Sequence, residues 1–270
     1  MTIIAWLRNL AVLACVLLQA CTMAPKYDKN HPIGTLGVVG SNVTLNGKPG
    51  PHGALIHVGD RVATGPGSSA MIVFSDGGYF QLDQNTDPLF VIERLQSGFC
   101  ILAHMLVGQV FVDKRTFCLQ TPDIQAINNS EINVQVNAGQ TLLTVARGKV
   151  TLLRPTGAPV LTGQQLMASR QRKAATVRSI DSRELATLLR WRENYKFQGW
   201  CCRDGKLSQS DRKACSSAGS FSFNKGALQK ICGAATPSVD FREIFKQQRP
   251  TRKPSSDSPP TERTVPTYSR

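Results

Sequence analysis

The chain has 270 residues, 41% of them hydrophobic and 19% charged, with eight cysteines and a formal net charge of +14. That length allows one or two domains with real cores, and no apolar run reaches the roughly 20 residues of a permanent membrane span. The charge is unevenly placed: Cys21 to Ser169 carries ten Lys/Arg against nine Asp/Glu, whereas Arg170 to Arg270 carries twenty-one against nine. A protein basic throughout is therefore excluded, and any electrostatic attraction of an acidic partner belongs to the C-terminal part.

Residues 1–20 hold Arg8 and an apolar run from Leu10 to Leu18. This reads as an export signal. Leu18-Gln19-Ala20-Cys21 resembles the bacterial lipobox, with an aliphatic residue at −3, a small residue at −1 and then cysteine. The resemblance implies that Cys21 is lipidated (a palmitate-type anchor) and becomes the first residue of the mature protein. Thr22 follows rather than Asp, which implies the periplasmic face of the outer membrane. Acyl chains contribute about 0.8 kcal/mol per buried CH₂, enough to anchor without a spanning helix. Residues 21–32 form a polar tether. For an exported chain the anionic partners at hand are peptidoglycan carboxylates, lipid phosphates and acidic proteins, and nucleic acid is not expected.

Residues 33–169 read as one β domain. Its centre is Gly53 to Leu82, where short apolar runs are broken at Gly59-Asp60, Gly65-Pro66-Gly67 and Asp76-Gly77-Gly78. Gly and Asp tolerate positive φ, Pro presets φ, and Asp-Gly between alternating runs signals a hairpin. Gly59, Asp60, Gly65, Asp76 and Gly77 are thus expected to be structural turns. A calcium loop would need D-x-D-x-D-type spacing, which is absent. Strands are expected at Thr35–Val39, Asn42–Leu45, Leu89–Arg94, Cys100–His104, Gln109–Asp113, Phe117–Gln120, Ile124–Asn128, Ile132–Val136, Gln140–Ala146, Lys149–Arg154, Pro159–Leu161 and Gln165–Ala168. Many short strands with regular turns predict a mainly β fold, a stacked short-strand sandwich or solenoid-like domain. The segment from Asn42 to Val62 echoes that from Lys149 to Leu166, which suggests one local motif used twice.

Gly59-Asp60-Arg61-Val62-Ala63-Thr64-Gly65, then Ser69-Ala70-Met71-Ile72-Val73-Phe74-Ser75-Asp76-Gly77, Gly108-Gln109-Val110-Phe111-Val112 and Phe117-Cys118-Leu119-Gln120-Thr121-Pro122 resemble the core of the FecR-type periplasmic domain. The resemblance covers about half the chain, residues 33–169. It implies a β-rich, protein-binding module. The best-known members are inner-membrane regulators with a cytoplasmic segment and a spanning helix. This chain has a lipobox instead, so their sigma-regulating activity is not carried over.

Apart from Cys15 and Cys21, six cysteines remain: Cys100, Cys118, Cys201, Cys202, Cys215 and Cys232. An even number in an exported chain suggests disulfides. Cys100 and Cys118 sit in matching Phe-Cys-aliphatic contexts on strands that could be neighbours. Zinc would need clustered ligands, and none of His31, His52, His57 or His104 lies among the C-terminal cysteines. Residues 170–198 read as a basic linker, Arg170 to Val177, and a helix running to about Lys196. Asp181 is expected as its N-cap, with Glu184 reaching back. Residues 199–235 form a Trp-Cys-Cys…Cys…Cys module, expected to be a small disulfide-rich α module. It is too small to fold without two bridges, so Cys201 and Cys202 should each pair with Cys215 or Cys232, in an order left open. Residues 249–270, rich in Pro, Ser, Thr and Arg, read as a disordered basic tail.

No Ser/His/Asp set stands out, so no catalytic residue, metal or cofactor is assigned. The expected function is that of a non-enzymatic, lipid-anchored envelope protein. Its β domain would bind a protein, and its basic C-terminal part would touch the cell wall or an acidic partner. The alternative is a periplasmic sensor that modulates a membrane signalling partner.

Overall fold

The structure is a computed structural model and describes residues 31–95, 98–170, 174–215 and 219–232. The signal segment, Cys21 and the 249–270 tail lie outside the described residues.

The first strands in chain order are β1 (Gly34–Val39), β2 (Val43–Leu45), β3 (Lys48–Pro49), β4 (Leu55–Ile56), β5 (Val62–Thr64), β6 (Ser69–Phe74), β7 (Tyr79–Leu82) and β8 (Asp87–Leu95). They are followed by β9 (Gly98–Gln120), β10 (Gln125–Asn137), β11 (Gln140–Arg147), β12 (Lys149–Arg154), β13 (Val160–Leu161), β14 (Gln164–Ser169) and β15 (Ala174–Ser179). Next come helix α1 (Ser182–Leu189) and a 3₁₀ turn, Arg190–Asn194. The chain then makes β16 (Gln198–Arg203), β17 (Lys206–Asp211), α2 (Arg212–Cys215), β18 (Ser220–Ser222) and α3 (Lys225–Gln229). The fold is mainly β, as the alternation predicts.

A 12-stranded antiparallel sheet runs β15-β14-β11-β10-β9-β7-β6-β1-β4, with β8, β12 and β13 branching from it; β3-β2-β5 form a small separate sheet. Alternation sorts the side chains. Ile72, Phe80, Val112, Val134, Leu143 and Leu166 face one core, closed on its other side by Val43, Val62, Phe90, Met105 and Leu152. In β6 every residue is buried, so its outward face is covered as well. Burial on both faces marks a strand roofed on both sides.

The sequence suggests separate strands at 100–104, 109–113 and 117–120, but one hydrogen-bonded strand, β9, includes all three. Fully extended, the path from Cys100 to Cys118 would span roughly 60 Å at about 3.3 Å per residue. Their Cα atoms are 5.9 Å apart. The strand therefore coils back, turning at Gly108 (φ 108°) and Thr116 (φ 54°) without ending its ladders. Gly108 has a second constraint, since a Cβ there would lie 2.4 Å from the Thr86 Cα. The expected strands at 124–128 and 132–136 are likewise joined in β10, whose residues 125–128 pair with β12 and 131–137 with β11.

Three expectations need correction. The segment read as a basic connector is strand β15, paired with β14 in unbroken register from Gln164↔Ser179 to Ser169↔Ala174. The helix ends at Leu189 and tightens into the 3₁₀ turn. Asp181 does cap it, accepting from the Glu184 N at 2.7 Å, but the Glu184 carboxylate binds Arg178 instead of closing a capping box. The module at 199–232 is also more than α: β17-β16-β18 form a three-stranded sheet beside two short helices. The two echoing segments share a positive-φ glycine before the next strand, Gly59 and Gly163, but pair differently: β2 with β3 and β5, β12 with β10 and β13.

Candidate functional site

The turn residues sit where hairpin chemistry needs them. Asp60 accepts from the His57 N at 2.7 Å and from Asn46 Nδ2 at 2.7 Å, so both its oxygens are engaged in closing loops. Gly59 has φ 93° and donates to the Phe90 O at 2.7 Å. Asp76-Gly77-Gly78 turns β6 into β7, with Gly77 at φ 94°. Gly65 opens its turn, its carbonyl accepting from the Ser68 N at 3.3 Å, but does not supply the dihedral. Its φ is ordinary, Gly67 supplies the positive φ of that turn, and a Cβ on Gly65 would press on Asn42 at 3.0 Å. Among the described residues no group of three or more His, Cys, Asp or Glu is placed to hold a metal ion.

The six cysteines from Cys100 onward are all bonded: Cys100–Cys118, Cys201–Cys215 and Cys202–Cys232. The last two cross in sequence. They tie β16 to α2 and to the chain just after α3, which is how so short a module keeps a fixed shape.

That module does not stand apart. It lies with the 3₁₀ turn on the outward face of β1, β6, β7 and β9. There Met71, Val73, Tyr79 and Phe111 form a second core with Phe197 and Phe223, flanked by Leu189, Trp191, Tyr195 and Phe221. The Phe223 ring sits directly on Gly37, where a Cβ would come within 2.4 Å of its Cζ. Its backbone N donates to Thr35 Oγ1 at 3.2 Å, and Asn224 Nδ2 donates to the Gly53 O at 2.8 Å. Farther along the face, Asn133 Oδ1 accepts from both Gln109 Nε2 at 3.2 Å and Trp191 Nε1 at 3.1 Å. Tyr195 donates to Asp83 Oδ1 at 3.0 Å. Burial first, and then that bond, push the Tyr195 phenol up to about 12.

Two arginines of the basic half are used inside this joint. The Arg192 guanidinium stacks 3.5 Å over the Phe111 ring and donates through Nη2 to the Tyr79 hydroxyl at 2.6 Å. The Arg212 guanidinium lies 3.7 Å over the Tyr79 ring and 3.9 Å from Asp113. Burial raises the Tyr79 pKa and lowers that of Arg212. These cations are part of the packing, and cation–π contacts of this kind strengthen as they are desolvated. The signal for the joint was the cluster of aromatics between Trp191 and Phe223 in a chain that is only 7% aromatic.

A groove of about 250 Å³ opens at the far end of the first core, where Thr121 to Gln125, Arg154-Pro155, Ala168 to Arg170 and Ala175 meet. Asp123 is its carboxylate. It accepts from the Arg170 N at 2.8 Å and from Thr141 Oγ1 at 2.9 Å. Arg154 donates to the neutral Gln125 side chain at 3.0 Å.

This arrangement is that of a disulfide-braced body whose chemistry-bearing groups are engaged in its own packing. No family model matches the chain, and no curated protein matches it. Among solved structures, two crystal structures of a candidate anti-sigma factor from Parabacteroides distasonis, at 1.65 and 2.50 Å resolution, align at 17% identity and a TM-score of 0.41. The alignments cover 48% of this chain and 64% and 63% of those chains, so this chain spans less than two thirds of their length. A likeness at that level carries no functional argument.

Proposed function

We propose that this chain is a non-enzymatic, lipid-anchored protein of the bacterial envelope, held through Cys21 on the periplasmic face of the outer membrane. Its β domain serves as a protein-docking scaffold, and its basic C-terminal region contacts the cell wall or an acidic partner. The observation that carries this reading is how the polar groups are used. The three disulfides and the carboxylates of Asp60, Asp83 and Asp123 bind the chain to itself. By contrast Arg183, Arg190, Lys196, Lys206 and Lys230 remain exposed on the C-terminal cover. A braced body with an outward-facing basic surface acts by binding.

The test has two parts. Radiolabelled palmitate should enter the wild-type protein and not Cys21→Ser, and the label should fractionate with the outer membrane. The purified ectodomain should sediment with peptidoglycan or co-purify with an acidic envelope protein at low salt and be released at high salt, because exposed charges are screened within about 8–10 Å at physiological ionic strength. Cytoplasmic fractionation without label, or turnover of an envelope substrate, would refute the reading.

A further inference from the structure

β15 is the end strand of the 12-stranded sheet: it pairs with β14 on one side, and no other strand among the described residues lies on its far side. Natural sheets guard such edges with proline, a bulge or an inward-pointing charge. This one has none of these. Its register with β14 is unbroken over six residue pairs, and the charge on Arg178 is turned away onto Glu184 and Gln165.

The inward face of β15 is also uncovered. Val177 pairs with Leu166, which is buried in the first core, so Val177 and Ala175 point to the core side of the sheet. Yet Val177 is 49% exposed and Ala175 is exposed. The opposing layer stops short of the last strand and leaves an apolar shelf. The groove opens at the start of that shelf. Arg154 and Arg170 line it and are exposed, and neither has an ion-pair partner among the described residues, while Asp123 is already engaged.

We propose that β15 is a docking edge for an extended, acidic segment of a partner protein, which adds as a further strand. The backbone ladder would hold it, alternate apolar side chains would lie on Ala175 and Val177, and a carboxylate would reach Arg154 and Arg170 in the groove. Strand addition of this kind draws affinity from main-chain hydrogen bonds and specificity from alternate side chains. Charge selects the occupant. A second copy would bring another β15, which holds no Asp or Glu for the groove, and residues 249–270 carry five Lys/Arg against two Asp/Glu, so neither complements the groove. The proposal rests on the protein-docking reading above and names its site.

The experiment is selection of a displayed library of random twelve-residue peptides against the full mature chain, followed by fluorescence anisotropy of the enriched sequences. The expected winners alternate apolar and acidic residues, compete with one another, and lose at least about tenfold in affinity with Val177→Asp and with Arg154→Glu/Arg170→Glu. N-methylation at alternate peptide residues should also abolish binding. Both variants change exposed positions, and thermal unfolding checks that they stay folded. No enrichment, or binding indifferent to Val177→Asp and to N-methylation, overturns the proposal. So does finding that the edge is occupied by a second copy, or that deleting residues 249–270 is needed to open it. Failure here with salt-sensitive envelope binding retained sinks the edge alone. Loss of envelope fractionation sinks the broader reading whatever the peptides do.

Discussion

Gly37 and Phe223 offer a strong test of how the C-terminal module is held. Gly37 is ordinary strand backbone in β1, so alanine there is not strained by φ. Its Cβ would nevertheless fall 2.4 Å from Phe223 Cζ and 2.6 Å from both Cε atoms, against an ordinary contact of 3.4 Å or more. The ring must retreat by about 1 Å or leave. It has nowhere to go, because His52, Phe221 and Phe197 surround it at centroid distances of 5.2, 5.1 and 6.0 Å. Overpacking of this kind costs about 1–3 kcal/mol, and truncating a buried phenylalanine costs about 3–5 kcal/mol. Once Phe223→Ala has emptied the site, Gly37→Ala fills space and stiffens the unfolded chain, a gain of about 0.4–1 kcal/mol. The same substitution should therefore destabilise the wild type and be neutral or stabilising in the Phe223→Ala background, a coupling of about 1–4 kcal/mol. Urea unfolding of the four proteins measures it. Additive effects, or a silent Gly37→Ala in the wild type, would show that the module does not bear on the sheet as described.

Gly108→Ala should cost about 2 kcal/mol or more, because φ is 108° and the Thr86 backbone blocks the new methyl; a shifted urea midpoint reads it out. Cys100→Ser/Cys118→Ser should lose about 3 kcal/mol by the chain-entropy estimate and lower Tm, while reductant should lower the wild-type Tm further because it also opens the two C-terminal bridges. The folded-state pKa of Tyr195 lies above the ordinary value of 10, near 12, so its contribution is fully present below pH 10 and is lost as pH rises through about 12. Tyr195→Phe should flatten that alkaline decline, and absorbance of tyrosinate near 295 nm should show one fewer late-titrating phenol; an unchanged profile would contradict the assignment.

The strand content was legible because period-2 alternation is a local property. Ala70, Ile72 and Phe74 announce a face whatever they meet. The corners of β9 were not legible. Gly108 looks like the start of a new strand, and only its contact with Thr86 shows that the ladder passes through it. β15 was hidden by the basic residues around it, which read as linker even though Ala174 to Ser179 holds Thr176 and Val177, both good strand formers. The Asp181 cap is readable from side-chain chemistry, while the fate of Glu184 depends on Arg178, which lies on a strand that no local pattern marks. The order of the two C-terminal disulfides, and the meeting of Gly37 with Phe223, join positions far apart along the chain. No local pattern encodes such a contact.

The roof over β6, β7 and β9 is made from residues 189–223, which follow those strands in the chain. From the appearance of Phe111 until Leu189 follows, Met71, Val73, Tyr79 and Phe111 have none of this cover, an interval of roughly 4–16 seconds at about 5–20 residues/s. A nascent chain with that bare apolar patch invites self-association, so production of this protein should lean on a holding chaperone. A stalled or truncated product ending before residue 190 should aggregate even though its own β sheet is complete.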